Sequence, residues 1–210
     1  MKIGIFGGSF NPIHLGHTAL AGYICNLGLV DEVWLMVTPR NPFKMLDNML
    51  PEDIRLHLAE LAVKDFPHVR VSDFEFHLNR PSYTFVTLEK LSNSFPRHSF
   101  SLIIGEDNWL KFSSWRNSDE ILARYPVIVY PRRKEDGEAN KSANQPAGEI
   151  ASKYDVHILT SAPLYPISST EIRLAIGAGL DMSEWLDPAV AEYIRENGLY
   201  RHAIPTNNSH

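Results

Sequence analysis

Short apolar runs of the strand type alternate along this chain with segments whose apolar residues recur at helical spacing. The predicted strands are residues 2–6, 32–37, 69–76, 100–104, 127–130 and 156–159. Helical faces are marked by Ile54, Leu58, Leu61 and Ala62, by Leu88, Leu91 and Phe95, and by Val190, Tyr193 and Ile194. Such alternation predicts an α/β fold, a Rossmann-like doubly wound parallel sheet with helices on both faces. Ligands of such sheets bind beyond the carboxyl ends of the strands.

The rest of the chain suggests one domain over residues 1–201, whose C-terminal part from about 165 to 201 is helical. Residues 134–152 are polar without apolar periodicity, so we expect a mobile surface loop there. Residues 202–210 contain little to bury and are expected to fray.

Composition narrows the classes of protein that the chain can represent. The formal charge is −5 with both signs interspersed, which argues against a broad nucleic-acid surface. No apolar run approaches the roughly 20 residues of a membrane span, and no room for a signal peptide precedes the first strand. The single cysteine, Cys25, suits a reducing compartment, so a cytoplasmic location is expected. Whether the chain forms a homo-oligomer is left open.

The segment from residue 4 to 17, GIFGGSFNPIHLGH, joins the first strand to a glycine-rich turn and then to a helix. Gly7 and Gly8 permit backbone shapes closed to other residues. A helix opening near His14 aims unpaired backbone N–H groups at whatever lies above the turn, and His14 and His17 share a helix face. This pattern is typical of a site for nucleotide phosphates. The alternative is an ordinary strand-to-helix turn with a capping histidine.

A second helix start follows a proline-rich stretch, in the segment ISSTEIR from residue 167 to 173. Ser168 or Ser169 can be its N-cap, and the remaining hydroxyls, the first-turn N–H groups and Arg173 can bind phosphate oxygens. Taken alone, the segment is more typical of a plain capping box than of a phosphate site.

Together these two motifs resemble those of the nucleotidyltransferases related to class I aminoacyl-tRNA synthetases. Further segments narrow the resemblance to the bacterial-type nicotinate-nucleotide adenylyltransferase family. They are TPRNPFK at 38–44, DFE at 73–75 with RPSYT at 80–84, IGEDN at 104–108 with Trp115, and Tyr193-Ile194 leading to Leu199-Tyr200. The chain departs from the family pattern at Ser9, Asn11, Phe43 and Glu106.

The resemblance implies transfer of AMP from ATP to nicotinate mononucleotide, by direct in-line attack of the acceptor phosphate and release of pyrophosphate. It implies contacts to ATP from Gly7, Gly8, Ser9, Phe10, His14, His17, Gly105, Asp107, Ser169, Thr170 and Arg173. It implies catalytic roles for His14, His17, Lys44 and Arg173, and acceptor contacts from Lys44, Tyr83, Thr84 and Trp115. Neighbouring phosphates are expected to favour a protonated imidazole at His17.

Some assignments stay open at this point. Asp107 can bind the nucleotide or cap a helix, Tyr83 and Trp115 can be core aromatics, and Asp73 and Glu75 are expected to be structural residues on a strand. The remaining histidines have no metal-ligand spacing, so Mg²⁺ is expected to enter with ATP rather than in a protein site. Two other functions fit the same motifs: nucleotidyl transfer to nicotinamide mononucleotide or phosphopantetheine, and a nucleotide sensor without activity.

Overall fold

A computed structural model describes residues 1–39, 49–131 and 153–201 of the 210-residue chain. Lys44 lies outside the described residues. The expected surface loop at 134–152 and the expected tail at 202–210 also lie outside them.

The described strands form one six-stranded, wholly parallel sheet. They are β1 Lys2–Gly8, β2 Glu32–Val37, β3 Val69–Ser72, β4 Ser99–Gly105, β5 Val127–Tyr130 and β6 Val156–Ile158. Their order is β3-β2-β1-β4-β5-β6. Successive strands are therefore added toward one edge of the sheet up to β3 and toward the other edge from β4 onward, and the switch lies between β1 and β4. A crevice beyond the carboxyl ends of the strands at this switch point is where doubly wound folds bind ligands. The predicted fold class is confirmed.

Helices cover both faces of the sheet. They are α1 Leu15–Asn26, α2 Glu52–Val63, α3 Thr84–Ser94, α4 Glu106–Trp109, α5 Ser118–Arg124, α6 Ser169–Gly177 and α7 Pro188–Glu196, with 3₁₀ turns at Phe74–His77, Phe112–Ser114 and Ser183–Trp185. One apolar cluster joins the sheet to α1, α2, α6 and α7, and a second joins its other face to α3, α4 and α5. Alternate residues of β2 feed the two clusters, as the period of a strand requires: Leu35 enters the first and Met36 the second.

The third strand is shorter than the sequence predicts. It ends at Ser72, and Phe74–His77 forms a 3₁₀ turn instead of continuing the strand. The Ser72 hydroxyl accepts a hydrogen bond from the Phe74 N–H (3.3 Å), which starts the turn. The alternation of apolar and acidic residues at 73–76 imitates a strand, and local polar bonding decides against it.

Helices α6 and α7 lie on the same face as α1 and α2. Ile172 of α6 and Val190 and Ile194 of α7 are buried in the first cluster, and α7 packs against α2. The C-terminal part therefore shares the core of the sheet, while the division into a single domain stays a prediction. None of the helices in the described ranges is long and apolar enough to cross a membrane.

Candidate active site

A cavity opens at the carboxyl ends of β1, β4 and β5, at the switch point of the sheet. Its walls combine strand ends with residues of α3 and the segment that follows α4. The lining includes Gly7, Thr38, Glu75, Thr84, Thr87, Gly105, Asn108, Trp115 and Tyr130. The sequence-predicted residues Gly7, Thr84, Gly105 and Trp115 are thus brought together from segments far apart in the chain.

The two glycines at the end of β1 are needed for space and not for unusual backbone angles. Both lie within β1, and the left-handed conformation in this loop belongs to Phe10, with φ 44°. A Cβ on Gly8 would lie 2.9 Å from the Phe10 ring, whereas a Cβ on Gly7 would meet no protein atom within 4 Å. Because Gly7 lines the cavity, its missing side chain leaves room for a ligand. The predicted reason for these glycines is therefore wrong, and their contact with a nucleotide stays a prediction.

His14 and His17 form the start of α1 itself. His14 is the N-cap, and its Nδ1 accepts a hydrogen bond from the Gly16 N–H at 3.2 Å. Nδ1 of His17 accepts from the His14 N–H at 3.2 Å, and the two ring centroids are 3.8 Å apart. A nitrogen that accepts a hydrogen bond carries no proton, so each neutral ring holds its proton on Nε2. The expectation of a protonated His17 refers to a site with phosphates bound beside it, and it stays a prediction.

Gly16, between the two histidines, is required by close packing. A Cβ at this position would lie 3.0 Å from two atoms of the His14 ring and 3.1 Å from Cβ of Tyr165. Any larger residue would therefore have to move the His14 ring or the segment that leads into α6.

Phe10 supports His17 from below. Its side chain is 2% exposed, and its ring meets the His17 ring edge-on with centroids 5.1 Å apart. Phe6 packs against both rings, at 5.8 Å from Phe10 and 6.1 Å from His17. The predicted contact of Phe10 with a nucleotide can therefore come only from its backbone, since the ring is enclosed by protein.

The start of α6 combines a plain capping box with direct bonds to the first loop. Ser168 is the N-cap: its hydroxyl accepts from the Glu171 N–H, and the Glu171 carboxylate accepts from the Ser168 N–H. The next residue bonds elsewhere, because the Ser169 hydroxyl donates to the Pro12 carbonyl at 2.8 Å. Nη1 of Arg173 donates to the Asn11 carbonyl at 2.7 Å. The two motifs, more than 150 residues apart, are in contact.

Arg173 is a half-buried cation whose donors are only partly used by protein. Besides the bond to Asn11, Nη2 donates to the Thr170 hydroxyl at 3.2 Å, while Nε is buried without a hydrogen-bond partner among the described residues. Burial lowers the pKa of the Arg173 guanidinium, and the nearby Tyr200 hydroxyl works against that shift. A desolvated guanidinium at a helix start is stabilised by an anion.

Sequence reasoning missed Arg55, which is 0% exposed. Its guanidinium donates to the carbonyls of Ser9 (2.5 Å), Thr38 (2.9 Å) and Leu50 (3.1 Å). It therefore ties the loop after β1 to the end of β2 and to the entrance of α2. No local pattern reveals this role, because Arg55 occupies one charged position in an ordinary helical segment and its acceptors are backbone groups distant in sequence.

Two of the predicted acceptor residues, Tyr83 and Thr84, lie at the start of α3. Tyr83 is the N-cap of α3 and makes no side-chain cap bond, and Thr84 is the first helical residue and lines the cavity. Tyr83 is 40% exposed beneath the Arg116 guanidinium, 4.8 Å from the ring centre, so it is not a core aromatic. The half-buried Trp115 packs on Phe112 and also lines the cavity.

Glu75 is a buried carboxyl in the wall of the same cavity. It is 8% exposed and accepts a hydrogen bond from the Thr87 hydroxyl at 2.7 Å. Burial raises the pKa of Glu75, while hydrogen bonds from Thr87 and Ser82 oppose the rise. The expectation of a structural role is consistent with these bonds, but Glu75 lies on a 3₁₀ turn rather than on a strand.

The remaining predicted positions lie in the turn after β4. Gly105 is the N-cap of α4 and lines the cavity, and Asp107 lies one residue inside that helix, exposed, so it is not the cap. Over the ranges 1–39, 49–131 and 153–201, no group of three or more His, Cys, Asp or Glu side chains is arranged to hold a metal ion.

The fold agrees with what comparison with known proteins finds. Residues 5–175 match the cytidylyltransferase-like family model, so the chain is a nucleotidyltransferase with a Rossmann-like fold. It is 48% identical to a protein of Bacteroides fragilis named probable nicotinate-nucleotide adenylyltransferase, over 92% of this chain and 90% of that one. A protein of the same name from Bacteroides thetaiotaomicron is 46% identical over 99% and 96% of the two chains.

The chain therefore belongs to the nicotinate-nucleotide adenylyltransferase family, as its motifs predict. A solved structure supports the fold at greater distance. It is the nicotinic acid mononucleotide adenylyltransferase of Plasmodium falciparum complexed with NaAD, with TM-score 0.75 at 20% identity, covering 97% of this chain and 99% of that one.

Proposed function

We propose that this chain transfers AMP from ATP to nicotinate mononucleotide, giving nicotinate adenine dinucleotide and pyrophosphate. The observation that carries the proposal is the contact between the two phosphate motifs at the switch point of the sheet. The start of α1 and the start of α6 are joined through Asn11 and Pro12, in the loop that follows Gly7 and Gly8 at the end of β1. One triphosphate can therefore be held by both helix starts.

The nucleotide half uses donors that are already fixed by protein contacts. Ser169, Thr170 and Arg173 bind the β- and γ-phosphates, and Gly7, Gly8 and Ser9 give close approach of the backbone. Gly105 and Asp107 contribute from the turn after β4. Desolvation of Arg173 before the nucleotide arrives makes an anionic ligand the natural partner of its guanidinium.

Catalysis rests on position and on charge stabilisation. The acceptor phosphate oxygen attacks the α-phosphorus, the bond to the bridging oxygen breaks, and the electron pair leaves with pyrophosphate, so no protein nucleophile is required. His17, with its Nδ1 engaged in the cap, donates its Nε2 proton as a hydrogen bond to the α-phosphate as charge shifts toward the leaving group. His14 donates in the same way, and Lys44 bridges toward the acceptor phosphate.

The acceptor ring enters the cavity between Thr84 and Trp115. The first-turn N–H groups of α3 receive no side-chain cap from Tyr83, so they favour a negatively charged group at this point by about 0.3–2 kcal/mol. This favours a pyridine carboxylate over a carboxamide. Burial raises the pKa of Glu75 and so favours its uncharged form, which weakens the repulsion between this carboxyl and a nearby anion.

Magnesium enters as part of the MgATP substrate. Phosphate oxygens and water can satisfy most of its coordination, so it needs few protein ligands. The described residues offer no cluster of three, and exposed Asp107 at the start of α4 is suited to contact one of its waters. Its charge supports the leaving pyrophosphate.

The function is tested by pyrophosphate release from MgATP with each of three acceptors: nicotinate mononucleotide, nicotinamide mononucleotide and phosphopantetheine. The expected result is the highest kcat/KM with the nicotinate compound. A higher value with another acceptor would assign the chain to that reaction. Release with none of them would indicate a nucleotide sensor.

Three variants of His17 distinguish the roles of its two ring nitrogens. His17→Ala is expected to lower kcat by roughly 10²–10³ and to lose the cap, at a cost of about 0.5–2 kcal/mol of stability. His17→Asn keeps an acceptor for the His14 N–H, so it retains stability but not turnover. His17→Gln places an amide N–H near the Nε2 position and retains part of kcat. Turnover of His17→Asn within a few-fold of the parent enzyme would remove His17 from this role.

A further inference from the structure

Tyr200, close to the last described residue, makes an unusually long-range contact with the first loop. Its hydroxyl donates to Oδ1 of Asn11 at 2.9 Å, across 189 residues of sequence, and both side chains are buried, at 8% and 3% exposed. The same Oδ1 accepts the N–H of Leu50 at 3.2 Å. Asn11 therefore joins the C-terminal part of the chain, the first loop and the entrance to α2 at one atom.

The backbone of Asn11 belongs to the nucleotide site. Its carbonyl accepts the Arg173 hydrogen bond, and the next carbonyl, that of Pro12, accepts the Ser169 hydrogen bond. His14 follows two residues after Pro12 and caps α1. A displacement of Asn11 would therefore be passed to Arg173 through this carbonyl bond, and along the loop to His14.

The backbone on both sides of this contact is strained. Among the described residues, the non-glycine positions with positive φ are Phe10 (44°), Asn117 (60°) and Tyr200 (64°). Two of these residues adjoin Asn11: Phe10 precedes it in the sequence, and Tyr200 is hydrogen-bonded to its side chain. A bulky residue adopts such angles only where its surroundings over-determine them, and such positions cluster at functional sites.

We propose that Tyr200 is a positioning residue for the nucleotide half of the reaction: by holding the Asn11 amide, it fixes the loop to which Arg173 and Ser169 are bonded. It touches no substrate and acts through Asn11. The inference rests on the proposed function of this site. Burial raises the pKa of Tyr200, with the guanidinium groups of Arg173 and Arg55 opposing the rise, so the hydroxyl keeps its proton and remains a donor.

The test is Tyr200→Phe, which removes the hydroxyl and keeps the ring. Its matched control is Tyr193→Phe, on helix α7, which ends four residues before Tyr200, where the ring packs on His57 with centroids 4.8 Å apart. At 25 °C, with both variants folded, Tyr200→Phe is expected to raise KM for ATP about five- to tenfold and to leave KM for nicotinate mononucleotide unchanged. Tyr193→Phe is expected to change neither.

Two results would overturn the inference. One is a lower Tm for Tyr200→Phe with unchanged kinetic constants, which would make the bond merely structural. The other is an equal rise of both KM values, which would show general loosening of the site.

Calorimetric titration of the parent and both variants with ATP separates this inference from the proposed function. If the parent chain binds ATP but releases no pyrophosphate, the proposed function fails. Weaker ATP binding by Tyr200→Phe alone would then still support the positioning role. Equal binding by parent and variant, or no binding by the parent, would overturn it.

Discussion

Arg55 gives the sharpest prediction about stability, because a fully buried guanidinium holds three separate segments together. It donates to the carbonyls of Ser9, Thr38 and Leu50. Substitution by methionine keeps an unbranched apolar stem of similar length and removes the donors. All three carbonyl groups then lose this partner in a region that water reaches poorly.

The size of the effect follows from those bonds. Leaving a buried acceptor unsatisfied costs about 1–3 kcal/mol each, and relief from burying the charge offsets part of the sum. We expect Arg55→Met to lower the free energy of unfolding by about 3–5 kcal/mol, the range typical of breaking a buried charged interaction from one side. For a chain of this size that corresponds to a fall in Tm of roughly 6–20 °C.

Urea unfolding followed by circular dichroism measures the change. Arg195→Met is the control: its side chain is 74% exposed, and its ion pair with Glu192 spans 3.5 Å on one helix, so it is expected to cost about 0.3–0.5 kcal/mol. Arg55→Lys is expected to recover little, since a compact ammonium cannot reach three carbonyls on separate segments. Stability of Arg55→Met within about 1 kcal/mol of the parent would refute the reasoning.

Three further predictions concern the cavity and its walls. Gly8→Ala places a Cβ 2.9 Å from an aromatic ring and should cost about 1–3 kcal/mol of stability, whereas Gly7→Ala meets no protein atom and should raise KM for ATP without lowering Tm. Gly16→Ala should displace the His14 ring and lower kcat more than stability, measured by parallel kinetics and melting. Because burial raises the pKa of Glu75 above its usual 4.5, its ionisation destabilises the fold as pH rises through the folded-state pKa. Glu75→Gln should therefore unfold like the parent near pH 4 and at higher urea than the parent at pH 8; equal midpoints at both pH values would contradict this.

The fold could be predicted from the sequence because the alternation of strand and helix patterns is local and repeated. Strand ends were predicted within one or two residues except at β3, where alternating residues at 73–76 form a 3₁₀ turn. There the period of two matches a strand, and the deciding contact is the hydrogen bond that the Ser72 hydroxyl accepts from the Phe74 N–H, which hydropathy does not register.

The positions of the candidate site could be predicted from motifs, but the physical reasons for several residues could not. The glycines after β1 provide space instead of backbone freedom, and Phe10 supports His17 instead of facing a ligand. The contacts of Arg55 and Tyr200 were missed because their partners are backbone or amide oxygens far along the chain. Such bonds leave no periodic or short-range pattern in a sequence.

The contacts of the first loop explain why the site needs so few charged groups. Asn11 and Pro12 are held by Arg173, Ser169 and Tyr200, and the cap of α1 fixes which nitrogen of each histidine carries the proton. Donors held in this way need no reorganisation when charge moves toward a leaving group, which is where preorganised sites gain most of their rate. It follows that substitutions at buried supporting residues such as Tyr200, which touch no substrate, should affect turnover or nucleotide affinity.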